Sequence, residues 1–222
     1  MTSEDLYPNG QLEQLAVELE RSLALDSLIY ATWEAHDFGD EANVKAPAGL
    51  CGLALDHGRG LRVLLSQVPP SAIALLRPQY ESLVRAVWAR HAATESDLGR
   101  LLAPLTPESQ QAARKLPGVQ DMLAAIEKSG PRGAATLLGR ARTRLWDGLN
   151  SFIHGGIHPF QRGQEGYPFP LLTDVLKNAN AMSMLTLLVL AEIAGDPEIL
   201  DVVAGLHQEF QDVLPMLEPL TA

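Results

Sequence analysis

Apolar residues recur at three- and four-residue intervals along almost the whole chain, and no strand-like alternation persists anywhere. A first helix is expected from Gln11 to His36, with Leu12, Leu15, Ala16, Leu19 and Leu23 on one stripe that Ile29 and Trp33 continue. The polar break DFGDEAN ends it. A second helix is expected from Pro47 to Gln67, on the stripe Leu50, Leu53, Ala54, His57, Leu61, Leu64 and Leu65. Gly52, Gly58 and Gly60 each cost this helix about 1 kcal/mol relative to alanine, a pattern that fits close approach of a neighbouring helix. The Pro69-Pro70-Ser71 turn opens a third helix over 70–93, with Ile73, Leu76, Tyr80, Leu83, Val84, Val87 and His91 facing inward. Residues 94–131 break into short helices, with starts at Thr106-Pro107 and after Gly118, and read as an insertion or mobile lid. Helix 132–154 follows, then a Gly/Pro-rich loop over 155–170. Two further helices, 171–194 and 197–217, are divided by Gly195-Asp196-Pro197. The expected fold is therefore all-α: one domain over 1–222, a bundle of about five to six long helices plus short ones within 94–131.

Composition changes this picture little and charge changes it more. A chain of 222 residues can bury about 70% of its unfolded surface, so it needs no disulfide or metal to fold. The single cysteine, Cys51, excludes an internal disulfide and a cysteine-based zinc cluster, and its apolar neighbours make it a buried small side chain. The opening MTSEDLYPNG has neither a basic start nor an apolar core, so no signal peptide is expected. The most apolar run, Ala181–Ala194, falls short of the roughly 20 residues of a bilayer span, so no membrane association and a cytoplasmic location are expected. The net charge of −10 argues against wrapping nucleic acid over a large area. Its distribution is uneven, however. Residues 1–43 carry ten acids and one base and residues 165–222 nine acids and one base, whereas 44–164 carry fifteen bases and eight acids. The middle of the chain is basic between acidic flanks, which either neutralise it by packing or leave it an anion-binding face.

Helix 132–154 concentrates the candidate chemistry. Its apolar stripe is Leu137, Leu138, Ala141, Leu145, Leu149, Phe152 and Ile153. Arg140, Arg144, Asp147, Ser151 and His154 step by four, three, four and three, which gathers them on a second, polar face. Five bases and no acid lie between Lys128 and Trp146. His154 closes the helix beside Gly155-Gly156, where freed backbone N–H groups and an imidazole can orient an anion or move a proton. Asn150 and His158 border that position and join Arg140, Arg144 and Ser151 as candidate binding residues. The two glycines between His154 and His158 spoil a helical histidine pair, and no third ligand follows, so neither a metal site nor a cofactor is expected. On the third helix Arg77, Glu81 and Arg85 are spaced four apart. Glu81 between two arginines would be fixed and ionised, able to orient His154, which makes the two a candidate catalytic pair. The bland reading of each group is a solvated face or an inter-helix ion pair. Trp33, Trp88 and Trp146 read as core.

At these residues a resemblance emerges. LLRPQYESLVRAVW at 75–88 together with LWDGLNSFIHGG at 145–156 resembles uncharacterised bacterial helical proteins that are similar to the HEPN (higher eukaryotes and prokaryotes nucleotide-binding) superfamily. The likeness covers about 45–195 and implies a helical fold with a nucleotide or RNA link. Ribonucleases of that superfamily place a histidine five to seven positions after an arginine. Arg144 is too distant from His154 for this, whereas Arg85 and His91 match the spacing formally. Three readings follow: a non-catalytic HEPN-like module binding nucleotide or RNA at a basic helix face, a divergent ribonuclease using His154, and a homodimeric interaction protein.

Overall fold

Among the described residues the chain forms ten α-helices joined by short turns, and no β-strand. The structure is a computed structural model and describes residues 10–216. Residues 1–9, where no signal peptide is expected, and position 217, the expected end of the last helix, lie outside that range. The long helices are α1 (Gln11–Glu34), α2 (Ala42–Leu64) and α3 (Pro69–His91). Three short helices follow, α4 (Glu95–Leu102), α5 (Pro107–Ala113) and α6 (Val119–Ser129). Then come α7 (Ala134–Ile153), α8 (Ile157–Glu165), α9 (Phe169–Ala194) and α10 (Pro197–Glu209), with one 3₁₀ turn at Gln211–Val213. None of these helices is long and apolar enough to cross a membrane.

Helices α3 and α9 form the centre. α2, α7 and α6 pack on α3, while α1, α2 and α10 pack on α9. The closest seam is between α2 and α3, and glycine permits it. A Cβ on Gly60 would sit 3.2 Å from Leu75, and one on Gly58 would sit 2.6 Å from the Gln79 side-chain nitrogen. Gly52 works the same way towards α1, where a Cβ would meet the Trp33 ring at 3.1 Å. The helix loses propensity at these positions and gains a close neighbour in return.

Two expected stripes are displaced, for one reason. On α1 the buried positions are Leu15, Ser22, Leu25, Asp26 and Ile29, while Leu12 and Leu23 are exposed. On α2 they include Cys51, Leu55, Gly58 and Arg62, while Leu53 is exposed and His57 half-buried. The inward face of each helix contains polar residues because the core holds a polar knot. Arg62, fully buried, donates to Asp26 at 3.0 Å, to Asn180 Oδ1 at 2.8 and 3.0 Å, and to Ser183 at 3.0 Å. Asn180 donates to Ser22 and to the Val213 carbonyl, Arg59 closes on the other Asp26 oxygen, and Gln79 donates to the Ala179 carbonyl. Burial pulls the Arg62 pKa down to about 10, still far above neutral, so it faces Asp26 as a cation. This knot joins α1, α2, α3, α9 and the chain after α10.

The stretch 94–131 is tied down at its ends. Thr94 caps α4 and Thr106 caps α5, each in a reciprocal capping box. In α6, Met122, Leu123 and Ile126 are buried in the main core against α3 and α7. The 16-residue loop expected over 155–170 is instead a turn at Gly155-Gly156, helix α8 and a short Gly166-Tyr167-Pro168 link. Proline at the third helical position is compatible with a first turn, whose N–H groups lack helical partners in any case.

Candidate functional site

Helix α7 presents two different charged faces. Leu138 and Leu149 are its buried residues, and the helical repeat places Arg140, Arg144, Asp147 and His154 on the opposite side. All four are exposed. Among the described residues, Arg140, Arg144 and His154 make no side-chain hydrogen bond or ion pair, and Asp147 does not close on Arg144. Along the chain, Arg21, Arg59, Arg62, Arg77, Arg90, Arg100 and Arg162 each have a carboxylate within 4.0 Å. By contrast Lys128, Arg132, Arg140, Arg142 and Arg144 have none among the described residues. Among the described residues these five therefore run from the end of α6 through α7 without a carboxylate partner; the other bases so left, Arg85, Arg114, Lys115 and Lys177, are scattered over the rest of the fold.

The inner edge of α7 meets α3. Arg77 donates to Glu81 at 2.7 Å through Nε and to the Asn150 side-chain oxygen through Nη1. Its guanidinium also lies over the Trp146 ring, 4.4 Å from the centroid, and Arg142 approaches the same ring at 4.7 Å. Tyr80 spans the seam to donate to the Leu138 carbonyl at 2.9 Å, and burial pushes its phenol pKa up. Three of the expected site residues, Arg77, Glu81 and Asn150, therefore come together, with Trp146 as a fourth member that the apolar reading of the tryptophans hid. Asn150 is one turn before His154 on α7, and the His154 backbone N–H donates to the Asn150 carbonyl.

Other expected contacts are absent. Among the described residues Glu81 pairs with Arg77 alone, and Arg85, one turn on, is half-buried with its Nε–H enclosed and unpartnered. No hydrogen bond or ion pair joins Glu81 to His154 among the described residues. Ser151 turns to the helix junction, where its hydroxyl accepts from the His158 backbone N–H at 3.0 Å and so caps α8. A Cβ on Gly156 would sit 2.6 Å from that hydroxyl, and Gly155 has φ +62°, so both glycines are needed for the reversal between α7 and α8. The His158 side chain is exposed, and His91 pairs with Glu192 of α9 at 3.1 Å.

The profile of a family of unknown function, DUF6988, matches residues 51–216. The chain belongs to that family. The match takes in α3, α7 and both sides of the Arg77–Asn150 contact, as well as Arg62, Gln79 and Asn180 of the buried knot; it begins after α1, which supplies Ser22 and Asp26. Neither a curated protein nor a solved structure matches the chain.

Proposed function

We propose that this all-helical member of DUF6988 is a non-catalytic, HEPN-like bacterial module that binds RNA through the outer face of α7. Arg140 and Arg144 contact phosphates there, with His154 and His158 at the end of the row. The observation that carries the reading is the run of unpaired bases on α7 in a protein whose other helices pair most of their arginines. A guanidinium with no carboxylate partner is free to take a phosphate, bidentately where the geometry allows. Arg77, Glu81 and Asn150 serve this face from behind as positioning residues. They fix α7 on α3 and lend the outer row a rigid base. The likeness of 75–88 and 145–156 to HEPN proteins favours RNA as the anion.

Binding without cleavage is the form proposed because the exposed His154 has no orienting partner among the described residues, the support that the histidine of a catalytic triad has. Fluorescence anisotropy with a labelled single-stranded RNA tests both halves of the proposal. Arg140→Ala/Arg144→Ala is expected to weaken binding about tenfold or more, while Arg114→Ala, just after α5, leaves it unchanged and the RNA is recovered intact. Equal binding by the α7 double variant would overturn the reading, and RNA cleavage lost on His154→Ala would replace it with the ribonuclease.

A further inference from the structure

Helices α7 and α9 both pack on α3 but scarcely touch each other. The gap between them is a cleft of about 250 Å³ floored by Leu83 and Val87 of α3. Its walls are apolar, with Leu137 on the α7 side and Leu185 and Leu188 on the α9 side. Leu188 remains 39% exposed at the rim, so the packing of the fold leaves this apolar surface uncovered. Three charged or polar side chains complete the lining, His91, Glu192 and Arg132. They are not equivalent. Glu192 is already engaged by His91 at 3.1 Å and by Arg90 at 3.6 Å. Arg132, exposed in the turn before α7, has no carboxylate partner among the described residues.

We infer that this cleft is a binding site for a small amphipathic carboxylate, with its hydrocarbon tail on Leu83, Val87 and Leu185 and its head group at Arg132. An apolar cleft with a few converging polar groups is the usual form of a small-molecule site. The apolar floor and walls suit a short hydrocarbon tail. Charge sets the head. With Glu192 engaged by His91 and Arg90, Arg132 is the one lining charge left without an ion-pair partner among the described residues, and it selects an oxyanion over an ammonium group. This site is on a different side chain set from Arg140 and Arg144, so its existence does not depend on RNA binding.

Titration of the full chain with octanoate, 1-octanol and octylammonium, followed by methyl-resolved NMR, tests the inference. Octanoate is expected to bind saturably and about two- to fivefold more tightly than octanol, with shifts at Leu185 and Leu188, and octylammonium most weakly. Arg132→Gln should bring octanoate down to the level of octanol. Leu188→Glu, at a rim position where the fold tolerates charge, should weaken all three. Absence of saturable binding by octanoate, or octylammonium binding equally well, would overturn the inference, as would an unchanged octanoate affinity in both variants.

Discussion

At the scale of single residues, the most consequential group is Arg62, a cation with no solvent contact whose neutralisation rests on Asp26. Removing one partner of a buried pair leaves a charge that nothing else in the core can satisfy. Asp26→Asn is expected to lower the unfolding free energy by about 3–5 kcal/mol, read from urea denaturation; a loss under about 1 kcal/mol would mean the pair is not carrying that cost. Cys51 and Tyr80 make a second residue-scale case. Burial pushes up the pKa of the Cys51 thiol, the Tyr80 phenol and, with help from Asp56, the Tyr30 phenol, the last to about 12. These groups stay protonated in the folded chain while their unfolded counterparts ionise at ordinary values. Stability should therefore fall as the pH rises above about 9, the unfolded thiol value. Alkylation of Cys51 by iodoacetamide should then track unfolding, and rapid labelling of the native protein at pH 8 would contradict its burial.

At the scale of elements, glycine placement separates contact from accident. Gly58 lies against Gln79 and Arg62, whereas a Cβ on Gly148 of α7 would meet nothing within 4 Å. Gly148→Ala should stabilise by roughly 0.5–1 kcal/mol through helix propensity alone. Gly58→Ala should destabilise in spite of the same propensity gain, because Gln79 is held by the Ala179 carbonyl and cannot move aside freely. Thermal denaturation of the two variants checks the opposite signs, and stabilisation by both would remove the argument for a tight α2–α3 seam. Helix existence was legible from periodicity in α1, α2, α3, α7 and α9 because each carries enough apolar residues on one side. Which side faces inward on α1 and α2 was not, since Ser22, Asp26, Gly58 and Arg62 hold buried positions through mutual hydrogen bonds that a hydropathy pattern counts as outward. The available signal was Asn180 and Ser183 within the most apolar helix, polar groups that need partners. Helix α8 was hidden by Pro159 and Gly163, which read as loop residues yet fit a short surface helix.

At the scale of the whole molecule, the chain is acidic at both ends and basic in the middle, and much of the basic excess remains unpaired where α7 meets solvent. The i,i+4 spacing on α3 pointed to Glu81 held between Arg77 and Arg85, of which the Arg77 pair alone forms among the described residues, and Asn150 lay within the segment 145–156 singled out on α7. Their meeting across the α3–α7 seam is a matter of tertiary packing and could not be read from spacing. RNA binding at α7 requires that its outer row exchange counterions for phosphates. The salt dependence of single-stranded RNA affinity measures this directly: the slope of log K against log salt should become shallower by about 1.4 in Arg140→Ala/Arg144→Ala, since each lost phosphate contact on a single strand contributes about 0.7. An RNA affinity that is independent of salt, or a slope unaltered in the double variant, would contradict it.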